Sequence, residues 1–243
     1  MKYLGHIIGS GIRKPDEKKV ATVKDIQIPE TKKQVRRLIG FFSHFPDYIP
    51  NFAEIAQPLT DLTGKQVPNK LPWGERENLA FKKLKEEICK ATTQSMSIAD
   101  FFKPYLIEVD SSANTVGAAL LQYVEGQGNR PIAFASQKLT ASQKAWSTKE
   151  KEAYAAIWAL QKFRNWIFGQ PTTVIYSDHN LLTYITESST KSAKLIRWLL
   201  FLQSHNVTFR YKEGRKKCGG RLPIKAGFCH RMKFTWVDSI VCT

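Results

Sequence analysis

Apolar and polar positions along the stretch 105–122 predict a β-hairpin. An alternating apolar run ends in an acid, Asp110, a polar turn covers 111–114, and a second apolar run begins at Val116. Asp110 therefore stands at the end of a strand, where a carboxylate can bind a metal without the cost of burial in mid-strand. Aspartate is also a favoured turn residue, so the pattern leaves open that Asp110 merely opens the turn.

The first 95 residues predict a hairpin remnant followed by a small helical unit. Residues 1–8 are strand-like, and a helix begins after Thr31, which forms a capping box with Gln34. Further helical patterns follow Pro50 and cover about 76–90. In the first of these helices the basic residues lie largely opposite the apolar stripe; they are Lys32, Lys33, Arg36 and Arg37. A basic helical face is usually just solvated, which is the competing interpretation.

The pattern after residue 96 predicts three strands, a helix, a strand, a helix and a fifth strand. This order is typical of an α/β domain with a mixed five-stranded sheet and flanking helices. The first of the two helices opens with a capping box, Ser147 and Glu150, and Glu152 lies four residues before an apolar position, on the face aimed at the sheet. The strand after this helix covers 172–177 and is followed directly by a second acid, Asp178.

Three acids could thus meet at one edge of the sheet: Asp110, Glu152 and Asp178. Clustered carboxylates repel one another and need divalent cations, and oxygen-only sites suit Mg²⁺ or Mn²⁺. We therefore expect two metal ions and hydrolysis of a phosphodiester, with the three acids as catalytic and metal-binding residues. The competing interpretation of Glu152 is a surface acid beside the helix cap.

Composition favours a polyanionic partner. The 243 residues carry a formal net charge of +16 at 42% hydrophobic content, which points to nucleic acid before membrane. A basic surface that serves only solubility is the alternative. The four cysteines show no zinc-ligand spacing, and neither a signal peptide nor a membrane span is apparent. We expect free thiols and an intracellular protein, in cytoplasm or nucleus, that is not secreted and has no membrane partner.

Several blocks of sequence stand in a characteristic order. They are YLGHII from Tyr3, KPDEKKV from Lys14, RRLIGFFSHFPDYIPNFAEIAQPL from Arg36, FKKLKEEI from Phe81, KPYLIEVDSSANTVGAALLQ from Lys103, STKEKEAYAAIWALQKFRNWIFG from Ser147 and YSDHNLL from Tyr176. With these blocks, the chain from about Met1 to Gly214 resembles the end of a reverse transcriptase from a gypsy-like LTR retrotransposon.

The resemblance implies a thumb or connection region over 1–95 and an RNase H-like domain over 96–216. It implies a central strand for Asp110 and places the first three catalytic acids of the family on Asp110, Glu152 and Asp178. The basic helix over 32–37 would then face an RNA–DNA hybrid. The family also carries an RNA-directed DNA polymerase, a nucleotidyltransferase, but its palm and paired aspartates do not occur in this chain.

The tail, 217–243, departs from the family. Where a short helix with a fourth aspartate is expected, the chain has Lys-Cys-Gly-Gly-Arg from Lys217. These residues can be encoded AAA-TGT-GGC-GGA-CGC, and loss of one A gives Asn-Val-Ala-Asp, the pattern of the family. We therefore expect an out-of-frame, poorly packed tail with the lost acid at Gly220. A genuine but divergent tail is the alternative.

Three functions remain open at this stage. The first is a metal-dependent endonuclease of the RNase H type, impaired by loss of the fourth acid, that cuts RNA in RNA–DNA hybrids. The second is a retroelement remnant that binds nucleic acid without cleaving it. The third is an inactive fragment. The three acids favour the first, whereas the altered tail favours the others.

Overall fold

The computed structural model describes residues 1–170, 172–177 and 192–211. Its strands are β1 (Lys2–Tyr3), β2 (His6–Gly9), β3 (Ile12–Pro15), β4 (Met96–Ser97), β5 (Tyr105–Ser111), β6 (Thr115–Val124), β7 (Gly128–Lys138), β8 (Thr173–Ser177) and β9 (Val207–Tyr211). Its helices are α1 (Glu17–Lys24), α2 (Lys32–Phe42), α3 (Phe52–Ile55), α4 (Gln57–Asp61), α5 (Glu75–Thr93), α6 (Ala141–Lys144), α7 (Thr148–Lys162), α8 (Arg164–Ile167) and α9 (Ala193–Gln203).

A mixed five-stranded sheet forms the second half of the molecule, as the sequence predicts. The strand order is β7-β6-β5-β8-β9. Strands β5, β6 and β7 are antiparallel neighbours, whereas β8 and β9 run parallel to β5. The expectation that the Asp110 strand is central is confirmed, because β5 lies in the middle of this order. The strand directions also bring the carboxyl ends of β5 and β8 to the same edge of the sheet.

Helix α7 covers the sheet because its apolar residues recur with helical spacing. Ala153, Ala156 and Leu160 are buried in one cluster with Tyr105 and Ile107 of β5. The predicted capping box is present, since Ser147 accepts from the amide of Glu150 and the Glu150 carboxylate accepts from the amide of Ser147. This box fixes the first residue of α7 and therefore the rotation of the residues that follow.

A second apolar cluster holds the first half of the chain together. It joins buried side chains of α2, α4 and α5, among them Val35, Leu59 and Leu84. The predicted capping box of Thr31 and Gln34 is again present. The helix predicted after Pro50 is divided into α3 and α4, with Pro58 in the first turn of α4, because proline has no amide hydrogen to continue a helix.

The small sheet β1-β2-β3-β4 was not anticipated beyond its first strands. Strand β4 pairs with β3, Met96 opposite Arg13 and Ser97 opposite Ile12. Met96 is buried in the cluster of the first half. The division at 95 and 96 remains a prediction, as does that at 216 and 217, which lies outside the described residues.

Strand β7 joins the two halves. Ala133 and Ala135 belong to the core under α7, whereas Phe134, on the other face, packs against the cluster of the first half. Arg13 donates from one guanidinium nitrogen to the carbonyl of Ile132, at 2.7 Å, and to the carboxylate of Asp47, at 3.2 Å. The outer strand of the large sheet is therefore covered by the helical unit.

The expectations drawn from composition concern membrane-spanning helices and free cysteines. Across 1–170, 172–177 and 192–211, no helix is both long and apolar enough to cross a membrane. Cys89 is a free thiol, and the other three cysteines lie outside the described residues.

Candidate functional site

Asp110 lies at the carboxyl end of the central strand. It is the sixth of the seven residues of β5, and its side chain is exposed while its neighbour Val109 is buried. In the pairing with β6 it stands opposite Gly117. An exposed carboxylate at the end of a central strand is accessible to an ion or a substrate from solvent.

Glu152 is buried, with only 3% of its surface exposed. It lies in the second turn of α7, beside apolar residues of the core. The Ser111 hydroxyl donates a hydrogen bond to Glu152 Oε1 at 2.7 Å. Ser111, the last residue of β5, therefore faces α7. The structure thus brings Glu152 to the residue that follows Asp110 in the chain.

The role of Ser111 was missed from sequence. The pattern assigned 111–114 to a polar turn, yet β5 includes Ser111, and the turn is closed by Ser112, whose side chain accepts from the amide of Thr115 at 3.0 Å. The sequence did contain a signal for this contact: a hydroxyl residue follows the acid at the strand end, and a glutamate faces the sheet from the helix.

Glu150 has more than the capping role predicted for it. Its Oε1 accepts a hydrogen bond from Lys194 Nζ of α9 at 2.6 Å. Lys194 Nζ also lies 4.1 Å from the ring centroid of Trp146 and 5.3 Å from that of Trp198. The hydrogen bond from Lys194, with those from Ser147, lowers the pKa of Glu150 below its usual value of 4.5. These contacts fix the start of α9 against the start of α7, two residues before Glu152.

The third predicted acid, Asp178, lies outside the described residues, directly after Ser177 of β8. The part of the chain with assigned positions contains no group of three or more His, Cys, Asp or Glu side chains able to hold a metal ion. The donors that are described, the carboxylates of Asp110 and Glu152, are hard oxygen ligands of the kind that Mg²⁺ and Mn²⁺ prefer. The chemistry of this donor set therefore fits such an ion.

The predicted basic face of α2 divides into two pairs. Lys32 donates to the carbonyl of Gly64 at 2.8 Å, and Arg36 to the carbonyl of Thr63 at 3.3 Å, so this pair is engaged with the loop after α4. Lys33 and Arg37 are exposed and form no ion pair or hydrogen bond with any residue whose position is described.

Comparison with known proteins agrees with this architecture. A family model described as "RNase H-like domain found in reverse transcriptase" matches residues 100–205. The Pol polyprotein of transposon gypsy from Drosophila melanogaster is 32% identical over 225 residues, which is 89% of this chain and 21% of that protein. A Tf2-3 transposon polyprotein of Schizosaccharomyces pombe is 28% identical over 217 residues, 88% of this chain and 16% of that protein. The chain thus spans about a fifth or less of the length of these relatives.

Solved structures support the fold. A foamy viral protease-reverse transcriptase in complex with double-stranded DNA superimposes with a TM-score of 0.72 at 23% identity, over 90% of this chain and 38% of the other. A foamy viral protease-reverse transcriptase in complex with an RNA/DNA hybrid gives a TM-score of 0.69 at 20% identity, over 94% of this chain and 32% of the other. Both halves of the described structure therefore have a known structural counterpart.

Proposed function

Because this chain belongs with the gypsy-like retrotransposon Pol proteins and carries an RNase H-like domain of the reverse-transcriptase type, we propose that it hydrolyses the RNA strand of RNA–DNA hybrids with a divalent metal. The observation that carries the proposal is the buried carboxylate of Glu152, held by Ser111 beside Asp110 at the end of the central strand. Burial of an acid in an apolar core is costly, and a site that needs the acid explains its presence.

Asp110, Glu152 and Asp178 are the residues that would hold Mg²⁺ or Mn²⁺. When bound, a pair of such ions supplies an activated water and stabilises the leaving oxygen. Ser111 keeps the Glu152 carboxylate oriented through its hydrogen bond, and the capping box of α7 fixes the turn that carries it. Asp178 enters the proposal because it follows β8, which is parallel to β5 and adjacent to it.

Cleavage of a labelled RNA–DNA hybrid tests the proposal. We expect weak cutting that requires Mg²⁺ or Mn²⁺ and is abolished by Asp110→Asn, which removes the charge of the ligand and keeps its size. Asp100→Asn is the matched control, because Asp100 precedes β5 at the other end of the strand. If Asp110→Asn cuts as fast as the parent protein, the proposal is wrong.

We also propose that the absence of the fourth acid lowers this activity. The support is the sequence of the tail, in which no aspartate stands where the family pattern has one. An ending restored to Asn-Val-Ala-Asp from residue 217 is expected to raise the cleavage rate. An unchanged rate with the restored ending would show that the fourth acid does not limit the enzyme.

Binding of nucleic acid without cleavage is the second candidate, favoured by the net charge of +16 and by Lys33 and Arg37, an exposed pair of cations on α2. The four residues predicted to bind nucleic acid are tested in pairs. Lys33→Gln with Arg37→Gln is expected to lower the slope of log affinity against log salt by about 1 for each phosphate that these side chains neutralise. An unchanged slope would show that the nucleic acid does not contact Lys33 and Arg37. Replacement of Lys32 and Arg36 would also disturb the loop they contact, so the Lys33 and Arg37 pair is the cleaner test.

A further inference from the structure

A pocket of about 630 Å³ lies at the end of the sheet opposite Asp110. It is formed by the ends of α7, α8 and α9 and by the first residues of β8 and β9, and Arg164, Gln170 and His205 contribute to its lining. Strand β5 has seven residues, so its two ends are about 20 Å apart. The pocket is therefore separate from the carboxylate site.

Arg164 supplies an unpaired positive charge to the pocket. Its guanidinium lies 5.5 Å from the ring centroid of Phe168, and it forms no salt bridge with any residue of the described chain. Arg164 and its neighbour Lys162 are both exposed. A guanidinium held beside an aromatic ring at the mouth of a pocket is suited to contact a phosphate group.

Gln170 supplies an unsatisfied acceptor. Its amide nitrogen donates to the carbonyl of Phe101 at 3.0 Å, and this bond fixes the orientation of the amide. The amide oxygen is buried and has no hydrogen-bond partner among the residues that the structure describes. Buried polar atoms are nearly always paired, so this oxygen calls for an N–H or O–H donor.

The helices around the pocket favour a donor over an anion inside it. Helices α8 and α9 both end there, and the carbonyl end of a helix carries a partial negative charge. His205 is held by a 2.8 Å contact between its Nδ1 and the carbonyl of Phe201, which leaves the other ring nitrogen for a ligand. A ligand with a neutral ring and N–H groups therefore fits the interior of the pocket better than a phosphate group does.

Exposed aromatic rings flank the pocket. Phe168 is 76% exposed, Phe101 59% and Phe102 97%. The bond between Gln170 and Phe101 connects the two loops that carry them. Aromatic rings of this kind serve as stacking surfaces for unpaired bases, and each stacked base contributes about 1–3 kcal/mol.

We propose that this pocket binds one unpaired base of a single-stranded nucleic acid, with the adjoining phosphates on Arg164 and bases stacked on Phe168. The occupant follows from charge complementarity, since the chain carries +16 and Arg164 forms no salt bridge with any acid whose position is described. The base meets the unsatisfied oxygen of Gln170 and the helix ends, and the backbone stays at the cationic rim. The proposal does not depend on cleavage at the other end of the sheet.

Fluorescence anisotropy with a labelled twelve-nucleotide oligouridine tests the proposal in the full chain. Arg164→Gln is expected to weaken binding about tenfold, because it removes one phosphate contact and the cation that orients the Phe168 ring. Arg197→Gln is the matched control, because Arg197 is exposed on α9 and carries the same charge, and its one hydrogen bond within the described part of the chain is to the carbonyl of Ala193 in its own helix. Equal affinities for the two variants would overturn the proposal.

An abasic oligonucleotide distinguishes base binding from simple charge attraction. The parent protein should bind the abasic strand about tenfold more weakly than oligouridine, whereas Phe168→Ser should bind both alike. Phe168 is exposed, so this variant is expected to fold. Equal binding of both strands by the parent protein contradicts the proposal. A second contradicting result would be that the parent protein is a dimer and Phe102→Ser is a monomer, since the aromatic surface would then bind a second copy of the chain. Cleavage of blunt hybrids should be unchanged in Arg164→Gln, so the two proposals fail separately.

Discussion

The two ends of the five-stranded sheet differ in the sign of their charged residues and in how deeply those residues are buried. At the carboxyl end of β5, an acid is buried in the core and held by a serine, while a second acid is exposed. At the other end, a cation is exposed beside an aromatic ring, and a neutral amide oxygen is among the buried polar atoms. The first end is suited to hold a cation rigidly, whereas the second is suited to a mobile, partly apolar ligand.

The two ends should therefore respond differently to substitution, in folding stability and in function. A buried carboxylate depends on its hydrogen-bond donors, so changes around Glu152 should alter both folding and activity. An exposed cation and exposed rings contribute little to folding, so changes around Arg164 should alter binding alone.

The largest effect on stability is expected from the serines. Ser111→Ala removes the donor to Glu152 Oε1 and should lower the free energy of unfolding by about 1–3 kcal/mol, the cost of leaving a buried acceptor without its donor. Ser204→Ala is the matched change at the other end, where the hydroxyl is exposed and bonds to the carbonyl of Phe201. It should change the same free energy by less than about 0.5 kcal/mol. Urea denaturation of both variants measures these free energies. Equal losses of stability in the two variants would contradict the distinction between the two ends.

A smaller effect is expected at Lys194. Lys194→Met removes the hydrogen bond to Glu150 and the contacts with two tryptophan rings, for a loss of about 1–2 kcal/mol at pH 7. Because the pKa of Glu150 is lowered in the folded state, its contribution is present above the unfolded value of 4.5 and is lost as pH falls through the folded value.

Parent and Lys194→Met should therefore differ most in stability near pH 7, and the part of the difference due to Glu150 should disappear in acid. Chemical denaturation at several pH values measures this, with Lys149→Met, an exposed lysine of α7, as the control. A difference between parent and Lys194→Met that does not change with pH would show that the tryptophan contacts act alone.

The smallest effect on stability is expected at Gly169, which follows helix α8 and lines the pocket. Gly169 has φ of +79°, a backbone region that other residues adopt at a cost of about 1 kcal/mol. Gly169→Ala should lower the melting temperature slightly, although no atom of the described residues lies within 4 Å of the added carbon. Gly40→Ala, in helix α2 and equally unobstructed, should raise it, because glycine weakens a helix interior. A rise in both would contradict the strain assigned to Gly169.

Much of the fold was predictable because its patterns are local. The alternation from Tyr105 and the capping boxes at Thr31 and Ser147 depend on residues within a few positions of one another, and the structure has the strand and both helices there. Strand β4 was missed because its two residues pair with β3 more than eighty positions earlier, and two residues make no pattern. Helix α1 was missed because its apolar residues, Val20 and Val23, are too few to show a stripe.

The candidate site was predictable only in part for the same reason. The inward direction of Glu152 follows from helical spacing, but its bond to Ser111 joins residues 41 positions apart. The opposite pocket had no sequence signal, because the contact of Gln170 with Phe101 spans 69 positions and the other lining residues come from helix ends. Contacts of this kind depend on how the elements pack, which spacing does not reveal.

Binding of Mn²⁺ tests the central claim, that the carboxylate end of the sheet holds divalent metal, most directly. The electron paramagnetic resonance signal of free Mn²⁺ should fall as the parent protein is added, with a stoichiometry near two, and Mg²⁺ should compete. Glu152→Gln should bind at least tenfold more weakly, whereas Arg164→Gln should match the parent protein. Equal Mn²⁺ binding by the parent protein and Glu152→Gln would contradict the claim.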